Sequence, residues 1–137
     1  MVGEKDLRKL IASMTPILIE NEYVFATIET FNAEQFVLLN PISTFQEKEG
    51  LTLVLQKEKA DKHGIDYSGV FRCITLSVHS SLDAVGLTAA VATKLTQFGI
   101  SANVIAAYYH DHVFVASKDA DKALAALNDL VREGIDS

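Results

Sequence analysis

The sequence contains no tryptophan, one cysteine, two prolines and two methionines in 137 residues. The lone Cys73 can form no disulfide within the chain, and no Cys-x-x-Cys pair exists, so nothing points to an oxidising compartment. Its setting in an apolar strand reads as a buried, inert thiol. No apolar run approaches the about 20 residues of a membrane span. Glu4, Lys5, Asp6, Arg8 and Lys9 precede any apolar stretch, unlike a secretion signal. A cytoplasmic location is the expectation. Positive charge is also scarce: 12 Lys and Arg stand against 18 Asp and Glu, a net charge of −6. Nucleic acid and anionic membranes are therefore not expected partners, because both are held through Lys/Arg clusters. Lys57, Lys59 and Lys62 do come close together, but Glu58 and Asp61 are interleaved with them, as on a solvated helix face. Glycine-rich phosphate loops, Gly-x-Ser-x-Gly elbows and His-Glu-x-x-His pairs are all missing. Neither an enzyme nor a cofactor is expected.

What the chain does have is apolar content, at 49%, enough to bury one ordinary domain or two small modules sharing a core. It also repeats itself. Residues 40–55 and 103–115 each read Asn, one residue, Ile, two small residues, an aromatic (Phe45, Tyr108), a polar turn and an apolar strand. In this alignment the first copy has the longer turn. A repeated hairpin suggests a duplicated unit, since each copy must bury its own apolar face.

Along the chain, Leu7, Leu10, Ile11 and Met14 form the stripe of a short helix that ends before Pro16. Tyr23–Ile28 reads as a strand, and 29–39 carries no clear pattern. Residues 42–45 and 51–55 form the first hairpin, followed by a helix from Lys57 to His63 closed by Gly64. Val70–Val78 is a strand with Arg72 on its apolar face. Ser80, Ser81 and Asp83 read as a capping box for a helix from about Leu82 to Phe98, which Gly99 stops. Strands at 101–108 and 112–116 follow, then a helix capped by Ser117 with the stripe Ala120, Leu124, Leu127, Val131. The second half is thus β-α-β-β-α, the ferredoxin-like order short of its last strand.

The second half, carried by Thr75–Leu87, Gly99–Ile105 and His110–Val115, resembles an ACT domain. The first half is similar through 42–46 and 51–54, which look like the second and third strands of a degenerate copy. Nearly the whole chain resembles a bacterial family of small stand-alone tandem-ACT proteins, and the pairing resembles those of aspartate kinases and the cytosolic arginine sensor of animals. The resemblance implies an α+β fold of two ACT-like (ferredoxin-like) halves, 1–67 and 68–137, with antiparallel sheets and helices on one face. Two departures stand out. The first copy lacks a clear helix between its first two strands, where the N-terminal helix is expected to substitute. The second copy ends without a final strand.

The implied function is regulatory binding of a free amino acid by a homodimer, with a separate protein partner receiving the signal. A loop opening a helix offers backbone N–H groups to a carboxylate, and Gly86 allows close approach. By resemblance the effector lies between the first-strand loop of one copy and the second strand of the other. That nominates Ser80, Ser81, Asp83, Val85, Gly86 and Leu87, with Ile42, Ser43 and Thr44 opposite, and Asn103 on the second copy's own strand. The plainer readings are helix capping for Ser80, Ser81 and Asp83, close packing for Gly86, and a strand-start residue for Asn103. His110 and His112, with His79, have the alternation of metal ligands, but their place at a hairpin turn favours solvated residues. The alternative function is an interaction module whose sheet edges associate without a ligand.

Overall fold

The computed structural model describes residues 6–78 and 85–136. In chain order the elements are α1 (Leu7–Ser13), β1 (Thr15–Leu18), β2 (Tyr23–Ile28), α2 (Ala33–Leu39), β3 (Ser43–Gln46) and β4 (Leu51–Gln56). There follow α3 (Lys57–Lys62), β5 (Phe71–Ser77), α4 (Leu87–Gln97), β6 (Asn103–Ala106), β7 (Asp111–Ala116) and α5 (Ala120–Asp136). Residue contacts divide the chain into a composite unit, made of the segment ending at Ile19 and the chain from Arg72 onward, and an inserted unit, Glu20–Phe71. The division at Phe71 and Arg72 falls just beyond the expected boundary at 67 and 68, and α1 and β1 group with the second half rather than the first.

In the composite unit the strands run β1-β5-β7-β6. This answers where the last strand of the second half comes from. β1 pairs antiparallel with β5, Thr15 opposite Ser77 through Leu18 opposite Ile74. The ladder continues as Ile19 N donates to Cys73 O at 2.9 Å, and Arg72 Nη2 donates to Ile19 O at 3.0 Å. Arg72 therefore fastens β1 in place, although its Nε is buried without an acceptor. The strand was hidden in the sequence because it precedes the module it completes, and because Pro16 argues against a strand. An edge position tolerates a proline's missing N–H.

One core fills this unit: Leu10, Ile11 and Met14 from the N-terminal segment meet Leu87, Val91 and Leu95 of α4 and Ala123, Ala126, Leu127 and Leu130 of α5. The alanines and Gly134 on α5 let α1 come close. A Cβ on Gly134 would sit 2.9 Å from Ile11 Cγ2 and 3.2 Å from Ala12 N. α1 is thus part of this core, and it is not the missing helix of the first copy.

That helix is α2, over a stretch with no legible apolar period. Its signal is a capping box: Asn32 Oδ1 accepts from Gln35 N at 2.9 Å, and Gln35 Oε1 accepts from Asn32 N at 3.2 Å. Asn40, at φ 44°, ends it in the left-handed region. In the inserted unit β3-β4-β2 form an antiparallel sheet, with Phe71 pairing Tyr23 at the far edge. Val24, Ala26, Leu39, Leu53, Leu55 and Ala60 make its core.

The two hairpins are more alike than the sequence alignment allows. Ser43 faces Val54 and Phe45 faces Thr52; Asn103 faces Phe114 and Ile105 faces His112, each 60 positions further on. The true match sets Ser43, not Asn40, against Asn103, and the two turns have equal length. Asn40 belongs to the helix cap instead.

Candidate functional site

The nominated loop meets α4 in the composite unit. Its helix starts at Leu87, later than the expected Leu82, and its N-cap is Gly86. Gly86 adopts φ +100°, a left-handed conformation that L side chains rarely take, and this sets the helix start. As a glycine, this N-cap has no side chain to cap the first turn. The expected capping box of Ser80, Ser81 and Asp83 lies, with His79, outside the described residues. The first N–H groups of α4 have no side-chain acceptor from their cap, at the positive end of the helix dipole.

Around that turn the side chains divide in role. Val85 is 84% exposed, while Leu87 is buried in the core. A Cβ on Gly86 would lie 3.1 Å from Leu7 Cδ2, so α1 also packs against this corner. Asn103 is elsewhere. It opens β6, and its Nδ2 donates to Phe114 O at 3.2 Å, tying the hairpin together. Ile42, Ser43 and Thr44 belong to the inserted unit, at and just before its edge strand β3.

Sequence reasoning missed what flanks the loop. His110 Nδ1 donates to Val78 O at 3.3 Å, so the β6–β7 turn holds the residue where the loop leaves β5. His112 Nδ1 and Thr75 Oγ1 share a hydrogen bond of 3.0 Å. These contacts occupy one ring nitrogen of each histidine. Among the described residues no group of three or more His, Cys, Asp or Glu could hold a metal ion.

Burial, then the His110 neighbour, lowers the His112 pKa, with Asp111 opposing. Burial raises the Asp111 pKa, with His112 and His110 opposing. A depressed histidine stabilises the fold above its usual 6.5 and loses that contribution as pH falls through the lowered value. A raised aspartate has the reverse sign, contributing below its usual 3.8 and losing it as pH rises through the raised value. NMR titration is expected to show His112 protonating below 6.5 and Asp111 above 3.8. A His112 that titrates above 6.5 would contradict the burial argument.

The inserted unit carries two hollows. One, of about 480 Å³, is lined by Asn21, Glu22, Gln56, Lys57, Glu58 and Asp61. Lys57 Nζ and Tyr67 Oη donate to Asp61 at 2.9 and 2.7 Å, which holds its carboxyl below the usual range. The other, of about 430 Å³, lies over Phe25, Thr27 and Thr52 beside Asp66–Ser68. Neither includes a nominated residue. No helix among the described residues is long and apolar enough to cross a membrane.

Two ferredoxin-like modules, each with a strand, a helix and a hairpin in the same order, define a tandem small-domain protein. ACT-domain family profiles match residues 2–72 and again 69–129. The chain belongs to the ACT-domain family, whose members are generally ligand-binding regulatory modules, often for amino acids. It is 53% identical to a protein of unknown function from Vibrio cholerae, described as a possible transport protein. That match covers 93% of this chain and 97% of the other, with a TM-score of 0.83. A protein from Agrobacterium tumefaciens is 18% identical over 86% of this chain and 89% of its own, TM-score 0.69. The ligand-free regulatory subunit of aspartate kinase from Thermus thermophilus has the same fold at 10% identity, covering 86% and 96% with a TM-score of 0.64. No curated protein matches the sequence.

Proposed function

We propose that this chain is an amino-acid-responsive regulatory module of the cytoplasm, active as a homodimer and signalling to a separate protein. The observation that supports it most is the start of α4. A left-handed glycine, an exposed neighbour and backbone N–H groups that receive no cap from that glycine stand together at the start of a helix of eleven residues. An α-carboxylate satisfies such N–H groups. In this reading the amides following Gly86 take the carboxylate, Asp83 takes the ammonium, and Ser80 and Ser81 supply hydroxyls. Val85 lies against the side chain, and buried Leu87 fixes the helix. A response that reaches a partner requires the ligand to favour one conformation, by about 1–3 kcal/mol of coupling.

The test is thermal unfolding of dialysed protein against each of the twenty amino acids. A ligand at 100 times its dissociation constant is expected to add about 2.7 kcal/mol. Gly86→Ala, forced into a left-handed conformation, is expected to lower stability by about 1–3 kcal/mol and to remove the ligand shift. A flat panel, with no co-purified ligand by mass spectrometry, would overturn the proposal.

A further inference from the structure

The hollow of about 430 Å³ in the inserted unit lies where the other half of the molecule has a strand. Thr27 of β2 faces Thr52 of β4. In the composite unit the matching positions are Thr75 and His112, which share a hydrogen bond. There β1 runs along the far side of β5 and sets Ile17 opposite Thr75. Beside β2 the corresponding ladder is a single pair, Tyr23 with Phe71. Asp66–Ser68 pass this edge outside any helix or strand, and space remains between them and the sheet.

The walls of this space are braced. Phe25, Thr27 and Thr52 stand on the sheet face opposite the core residues Val24, Ala26 and Leu53. The Phe71 ring meets Phe25 edge-on, with centroids 5.3 Å apart. Across the hollow, Tyr67 Oη donates to Asp61 at 2.7 Å, and Lys57 Nζ holds the same carboxylate at 2.9 Å. Two aromatic walls are thus fixed before any ligand arrives, which lowers the ordering cost of binding. The volume falls within the about 300–1,000 Å³ of small-molecule sites.

The lining chooses the ligand. Beside the aromatic rings of Phe25 and Tyr67 it offers one carboxylate, Asp66, and the hydroxyls of Thr27, Thr52 and Ser68. Thr52 Oγ1 already donates to Glu47. Asp66 makes no ion pair among the described residues, and no lysine or arginine lines the hollow. A cation with an apolar body satisfies this set, because the carboxylate takes the charge and the ring faces favour both parts. A carboxylate on the same ligand meets like charge at Asp66 and no cation to offset it. We infer that this hollow binds a primary amine carrying an apolar group of about the size of a benzene ring, and rejects the corresponding amino acid. In this arrangement the ammonium donates to Asp66 and Ser68, while the apolar group lies between Phe25 and Tyr67. The site shares no residue with the start of α4 and stands independently of the amino-acid reading.

The test titrates 2-phenylethylamine into isotope-labelled full-length protein, followed by amide NMR. Saturable shifts are expected at Phe25–Thr27, Thr52 and Asp66–Ser68, with a dissociation constant of about 1 mM, as a ligand this small reaches. Phenylalanine adds a carboxylate to the same body and 2-phenylethanol removes the charge. Each is expected to bind at these amides about tenfold more weakly or worse. Asp66 is exposed, so Asp66→Asn is expected to keep the melting curve of the wild type. The variant is expected to lose about tenfold in affinity for the amine and none for 2-phenylethanol. Absence of saturable shifts at these amides would overturn the inference. So would phenylalanine binding there as tightly as the amine, or an amine affinity that Asp66→Asn leaves unchanged. None of these readings involves the amides after Gly86, so the amino-acid response is decided separately.

Discussion

A chain that begins at Glu20 is expected to lose the fold of the composite unit, although its second half remains complete in sequence. The removed segment ends at Ile19, and it supplies both a strand and a share of the core. Without β1, β5 has an open edge from Ile74 to Ser77. Without α1, the side chains of Leu10 and Met14, now at 0% and 2% exposure, leave the core around Leu127 and Leu130. The close approach at Gly134 leaves a groove on α5 that no other described element fills. Near-ultraviolet circular dichroism and amide dispersion of residues 72–136 are expected to collapse together. The single change Leu10→Ala acts in the same direction with an expected cost of about 2–5 kcal/mol. A truncated protein with an unchanged unfolding midpoint would show that β1 and α1 are dispensable, contrary to this topology.

The second large effect concerns Cys73, which is 3% exposed. Burial pushes its thiol from the usual 9.0 up to about 11, with a hydrogen bond to Thr75 pulling the other way. At pH 8 that shift lowers the thiolate population about a hundredfold. Labelling of native protein is expected to be slow and to accelerate only on unfolding. The same shift makes stability depend on pH. The folded state holds this proton more tightly than the unfolded state, so the contribution is complete below pH 9 and is lost as pH rises toward 11. The expected loss is on the order of 3 kcal/mol. Chemical denaturation of Cys73→Ala, with no thiol to titrate, is expected to fall less steeply over that window. Equal slopes for the two proteins would refute the account.

The elements that could be read from sequence were those whose pattern is local. α5 announces itself through Ala120, Leu127 and its neighbours, and the strands around Leu53 and Val113 through short apolar runs. Their arrangement as two ferredoxin-like copies followed from the order of those elements. β1 was not legible, because its partner β5 lies more than fifty residues away and nothing in Thr15–Leu18 marks the pairing. α2 was misjudged for a different reason: three consecutive apolar residues, Phe36–Leu38, face outward, so no amphipathic period exists. Its Asn32 and Gln35 cap was the available clue. At the candidate site, Gly86 takes a left-handed conformation that sets the helix start at Leu87 rather than Leu82, which apolar periodicity does not encode, and the capping box read at Ser80, Ser81 and Asp83 lies outside the described residues. The contacts of His110 and His112 join residues more than thirty positions apart, which spacing cannot reveal.

The central claim is that an amino acid carboxylate is held at the start of α4. An amide-resolved NMR titration of isotope-labelled protein with the twenty amino acids tests it most directly. The expected result is that one amino acid shifts the backbone amides of Leu87 and Thr88 and those of the preceding turn, in a saturable manner, and that Gly86→Ala abolishes the shifts. Saturable shifts confined to residues remote from that turn, or none with any amino acid, would contradict it.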